Sequence, residues 1–99
     1  MMKMTKMRKK RSKLEIYLEI LRMINEGEKK PTRIMYRTNI SWFRCCQFLK
    51  SMVSQNLIKE ASQNKRKEYA ITEKGQKVLK YEERMTKLIK VENETLKAK

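Results

Sequence analysis

A surplus of fifteen positive charges in 99 residues constrains this chain more than any other feature. Lysine and arginine number 26, aspartate and glutamate 11, and histidine is absent. A compact monomer with that excess repels itself and attracts polyanions. A chain this short buries one modest core and often gains stability by pairing with a copy of itself. The partner class to expect first is nucleic acid, with an acidic membrane surface second. No run of about 18 apolar residues is present, so nothing here is expected to span a bilayer. The start, MMKMTKMRKKRSK, is basic but is followed by neither an apolar stretch nor a small-residue cleavage site. It does not read as a signal peptide, and a cytoplasmic setting is expected.

The adjacent thiols Cys45 and Cys46 invite a metal or redox reading, which the spacing discourages. Without histidine the mixed Cys/His zinc sites are excluded, and two thiolates leave a tetrahedral shell half empty. Neighbours on a helix point about 100° apart, and no C-x-x-C spacing occurs. The pair therefore reads as small residues fitted into or beside the core. Enzymatic chemistry is equally poorly served. There is no Gly-rich phosphate loop, and the carboxylates sit at helix ends or beside basic residues, so no cofactor is implied.

Punctuation along the chain divides it clearly. Residues 1–11 form a basic arm in which Lys9, Lys10 and Arg11 could follow phosphates. Ser12-x-x-Glu15 fits a capping box. Behind it, Leu14, Tyr17, Leu18, Leu21 and Ile24 recur at helical spacing until Gly27, and Ile16, Ile20 and Met23 widen the apolar face. Pro31 opens a short second helix that ends near Thr38-Asn39. It exposes Arg33 and Arg37 as candidate DNA contacts. Ser41 caps a third helix to about Gln55, with Trp42, Cys45, Phe48, Leu49 and Met52 inward and Val53 beside them. Phe43, Arg44, Gln47, Lys50 and Ser51 fall on the opposite face. Asn56 suits a left-handed helix cap.

Residues 57–61 and 67–71 then read as two strands around a basic turn. Thr72-Glu73 starts a last helix expected to reach Leu96, roughly 36 Å at 1.5 Å per residue. Its spacing of Val78, Tyr81, Met85 and Leu88 forms a heptad-like seam, joined by Ile89 and Leu96. That helix outruns the small core before it, so a second copy of itself, antiparallel, is the expected partner.

The expected fold is thus mainly α with a small β-hairpin. Residues 12–72 form a winged helix-turn-helix domain and 73–99 a dimerisation helix. In this order of elements the third helix enters the DNA major groove, the second crosses behind it, and the hairpin tip reaches backbone or minor groove. The segments TRIMYRTNIS, FLKSMVSQNLI and YAITEKGQKVL, in this order and spacing, resemble an archaeal winged-helix family. The similarity is to the small ten-kilodalton "a"-type chromatin proteins of crenarchaea, and it covers about residues 12–90. That resemblance implies a homodimer joined by an antiparallel coiled coil of the last helices. It implies double-stranded DNA binding with little sequence preference, and a nucleoid-associated role in organising the chromosome. It places the DNA-contacting surface at Ser41, Phe43, Arg44, Gln47 and Lys50 and at the wing residues Lys65, Arg66 and Lys67. Two features depart from the family: the long basic arm and the bulky Trp42-Phe43 pair.

Two other functions fit the same residues. A sequence-specific regulator would read guanine with Arg44 and adenine with Gln47. An RNA- or protein-binding module would use the basic arm, although the aromatic strand motifs of common single-strand RNA readers are missing.

Overall fold

The computed structural model describes residues 11–89. Four helices and a hairpin follow in the order α1 (Lys13–Asn25), α2 (Pro31–Thr38), α3 (Trp42–Ser54), β1 (Ile58–Gln63), β2 (Arg66–Ile71) and α4 (Glu73–Leu88). Each boundary is fixed by local chemistry. The Ser12 hydroxyl accepts from the Glu15 N–H while the Glu15 carboxylate accepts from the Ser12 N–H, completing the capping box. Ser41 accepts from the Arg44 N–H, and Thr72 from the Gly75 N–H. Asn39 and Asn56 take left-handed conformations after α2 and α3, where a short polar side chain tolerates positive φ.

One core serves all elements. Ile16, Ile20, Leu21, Met23 and Ile24 of α1 meet Ile34 of α2, Cys45, Phe48, Leu49 and Met52 of α3, and Leu57, Ile58 and Tyr69 from the hairpin. The only buried polar side chain among the described residues, Thr38, bonds back to the Ile34 carbonyl at 2.7 Å and so satisfies itself. The Tyr69 N–H donates to the Lys29 carbonyl at 3.1 Å, which ties the outer edge of β2 to the loop between α1 and α2.

Helix α4 is seated by three consecutive features of Thr72-Glu73-Lys74-Gly75. The Thr72 hydroxyl lies 2.6 Å from the Asn56 carbonyl and 2.9 Å from that of Leu57. The Lys74 ammonium donates to the Gln55 carbonyl at 2.8 Å, neutralising the C-terminal end of α3. Gly75 lies so close to the hairpin that a Cβ there would stand 2.3 Å from the Leu57 carbonyl oxygen and 2.7 Å from Ile71 Cγ1. Further along, Arg22 pairs with Glu82 at 2.7 Å and holds α1 to α4.

Four expectations need correction. Leu14 is 65% exposed, because the core meets α1 along Ile16, Ile20 and Met23 together with Leu21 and Ile24. Trp42 is 48% exposed rather than inward, since the start of α3 projects past the core, which meets this helix only from Cys45 onward. The strands extend further toward the tip than expected, with Gln63 opposite Arg66 and only Asn64-Lys65 between them. Helix α4 ends at Leu88 with Ile89 extended, and the expected stretch beyond it to Leu96 lies outside the described residues. The β-branched Ile89 lowers helix propensity there, and among the described residues Leu88 and Ile89 are left exposed, so packing does little to offset it. Lys9, Lys10 and Leu96 lie outside the described residues.

The two turn residues have φ of 53° and 66°, the double left-handed geometry of a tight hairpin. Asn64 suits this and Lys65 does not. Lys65→Gly is expected to stabilise the fold by about 1 kcal/mol, measured by urea unfolding, since glycine occupies that region without a Cβ clash.

Candidate nucleic-acid interface

Helix α3 carries no acidic residue, and its outward face presents Phe43, Arg44, Cys46, Gln47 and Lys50. The Ser41 cap places the helix N-terminus, with its partial positive charge, at one end of this face. The face is flanked by two clefts of opposite character, and Gln47 lines both.

On the α1 side, a cleft of about 250 Å³ is lined by Lys13, Tyr17, Arg44, Gln47, Phe48 and Ser51. Two cations, an amide and two hydroxyls line it, and no acid does. Its floor is held in place from below. The Tyr17 ring meets Phe48 edge-on with centroids 5.4 Å apart. The Tyr17 hydroxyl shares a 2.5 Å hydrogen bond with Ser51, which also accepts from the Gln55 amide at 3.0 Å. Arg44 lies over the Phe48 ring, 5.4 Å from its centroid, an attraction that draws the guanidinium toward this cleft. The arrangement suits an anion such as a phosphate.

On the hairpin side, a cleft of about 380 Å³ runs between α3 and the two strands. Trp42, Phe43, Cys46, Val53 and Tyr69 make it apolar, and Lys50, Glu60 and Lys67 rim it. Lys67 pairs with Glu60 at 3.6 Å. Such an exposed pair contributes little to stability.

The expected contact residues therefore separate into groups. Ser41, Phe43, Arg44, Gln47 and Lys50 share α3, and Lys67 joins Phe43, Gln47 and Lys50 around the hairpin-side cleft. Lys65 and Arg66 sit exposed at the hairpin tip. Arg33 pairs with Glu28 at 3.5 Å, and Arg37 with Glu26 and Glu28 at 3.7 and 3.8 Å, so α2's cations face acids of the preceding loop. Arg11 donates to the Glu19 carboxylate and to the Thr38 carbonyl, which makes it a clasp between α1 and the end of α2. Lys13, Tyr17 and Ser51 were not anticipated as site residues, because their meeting with Arg44 depends on how α1 crosses α3.

The two cysteines diverge. Cys45 is buried and its thiol lies 3.8 Å from the Pro31 carbonyl, whereas Cys46 is exposed in the apolar cleft. Burial, with a smaller contribution from Cys46, pushes the Cys45 thiol up to about 11, so it stays protonated and a poor nucleophile near neutrality. Among the described residues no three Cys, Asp or Glu side chains gather as a metal site. No helix of the described residues is long and apolar enough to cross a membrane.

Two helices behind an outward third helix, followed by a hairpin packed against it, define a winged helix-turn-helix domain. The family model described as winged helix-turn-helix matches residues 10–90, and the chain belongs to that family. Its particular likeness is to the archaeal Sso10a type. It shares 30% identity and a TM-score of 0.67 with Sso10a-2, a DNA-binding protein from Sulfolobus solfataricus, covering 89% of this chain and 87% of that one. MJ0287 from Methanocaldococcus jannaschii is 41% identical over 71 residues, 72% of this chain and 69% of MJ0287. A predicted DNA-binding transcriptional regulator from E. coli superposes with a TM-score of 0.59 at 21% identity, over 69% of this chain and 74% of that one. At that identity the likeness is one of fold.

Proposed function

We propose that the protein binds double-stranded DNA as a homodimer, mostly without regard to sequence, and organises chromosomal DNA in the cytoplasm as a nucleoid-associated protein. The observation that carries this reading is the acid-free outward face of α3, with Arg44, Gln47 and Lys50 beside a cation-lined cleft completed by Lys13. Sso10a-2 is a DNA-binding protein, and a chain similar to it over most of its length is expected to share that property. The surplus of fifteen charges suits a role dominated by backbone contacts, which position a protein without reading sequence.

In this reading α3 enters the major groove. Arg44 and Lys13 grip a phosphate on one flank, and Lys65, Arg66 and Lys67 meet the backbone on the other. Ser41 and the α3 N-terminus receive a further phosphate. Arg33 and Arg37 reach DNA only by exchanging their acid partners, and Lys9 and Lys10 add contacts from the arm. The dimer seam is the stripe Tyr81, Met85, Leu88 and Ile89, all exposed, extended by Leu96. Val78 packs partly against its own core and marks where the seam begins.

A salt titration on several duplexes of unrelated sequence tests the proposal. With about 6–10 phosphate contacts, affinity falls about 10³- to 10⁵-fold between 50 and 200 mM salt, with one slope for all duplexes. One duplex that keeps its affinity at high salt would instead identify a regulator, with Arg44 and Gln47 as base readers. Binding to RNA in preference to duplex DNA would sink the proposal.

A further inference from the structure

Phosphate contacts account for Arg44, Lys50 and the hairpin cations, but not for the apolar strip between them. Phe43 is 71% exposed, and with half-exposed Trp42 and exposed Cys46 it lies on the outward side of α3, directly beside Gln47. Leaving such a strip in water gains nothing for the fold, so its complement lies in a partner. Two copies of the chain meeting here would bring Arg44, Lys50 and Lys67 of each against their counterparts. A polyanion instead neutralises them. Phe43 is the second residue of α3, and the first turns of a recognition helix are what approach base edges in the major groove. The one apolar group a base pair offers there is the thymine C5-methyl.

We infer that Phe43, flanked by Trp42 and Cys46, is a thymine-methyl contact that gives the protein a modest preference for A·T pairs. This rests on the DNA-binding reading and adds a specificity residue to it. Arg44 is drawn aside over Phe48, so it leaves Phe43 and Gln47, one helical turn apart, as the residues facing the bases. Their chemistry agrees, because a glutamine amide pairs with the adenine N6 and N7 edge. A preference built on methyl contact is shallow, which fits a protein that binds most sequences while favouring some.

The test compares two duplexes of identical sequence, one with thymidine and one with deoxyuridine throughout, by fluorescence anisotropy at fixed salt. The substitution removes only the methyl group. The wild-type protein is expected to bind the uracil duplex about fourfold more weakly for each domain engaged, the factor that burying one methyl-sized group confers. Phe43→Ala is expected to bind both duplexes alike with its salt slope unchanged, and Phe43→Leu, which keeps apolar surface, to retain most of the discrimination. Equal wild-type affinity for the two duplexes would overturn the inference and leave DNA binding intact. Discrimination that survives Phe43→Ala would assign the effect to duplex shape and equally overturn it. A change of sedimenting mass in Phe43→Ala would assign the strip to a protein contact instead. Absence of binding to either duplex would remove the DNA-binding reading and this inference together.

Discussion

Replacing Met85 and Leu88 together by serine is expected to convert the protein from a dimer to a monomer and to lower its affinity for a long duplex at least about 10²-fold. Both side chains are exposed, Met85 at 55% and Leu88 at 83%, and neither belongs to the core, so the change leaves the core of the domain intact. It also leaves the net charge untouched, so a weaker salt-dependent attraction cannot explain the loss. The effect arises from linkage. Two reading domains on one molecule turn the second binding event into an intramolecular one, and joined modules exceed either alone by about 10²- to 10⁴-fold. Sedimentation velocity reports the mass, with the wild type at twice the 12.0 kDa of one chain and the variant at that value. A wild-type protein sedimenting as a single chain would sink the dimer. A monomeric variant with undiminished affinity would show that DNA binding does not draw on pairing.

Gly75→Ala is expected to destabilise the fold by about 3 kcal/mol. Alanine is the better helix former by about 1 kcal/mol, so propensity alone predicts the opposite sign. Contact decides it. The new Cβ would stand 2.3 Å from a backbone carbonyl oxygen, that of Leu57, and the Leu57 carbonyl already accepts the Thr72 N–H. Neither side can yield without pulling α4 away from the hairpin, and overpacking of this kind typically costs about 1–3 kcal/mol. Urea unfolding of the two proteins gives the difference directly. An alanine variant as stable as the wild type would show that α4 can lift from its seat at no cost, and the docking described above would then be wrong.

The features legible in the sequence were those written locally. Ser12, Ser41 and Thr72 cap helices, Asn39 and Asn56 leave them, and each needs only neighbours within four residues to do so. Their order was enough to give the winged-helix arrangement. The α3 face was legible too, because helical spacing alone separates Cys45 and Leu49 from Arg44 and Gln47. Periodicity failed where it cannot see tertiary reach. Trp42 has the spacing of a core residue, yet the core reaches α3 only from Cys45 onward. Arg11 resembles another cation of a basic arm, and only the folded chain brings Glu19 and the Thr38 carbonyl to it. The cation-lined cleft needs Lys13 and Ser51, far apart in sequence, to be gathered around Phe48.

The junction at Thr72-Lys74 has a mechanical meaning. Because Lys74 is bonded to the last turn of α3 and Thr72 to the residues after it, no slack segment separates the recognition helix from α4. Whatever sets the direction of α4 therefore also aims α3. In a paired molecule, the path imposed on a duplex would be encoded in how two α4 helices cross, and not in the reading heads themselves.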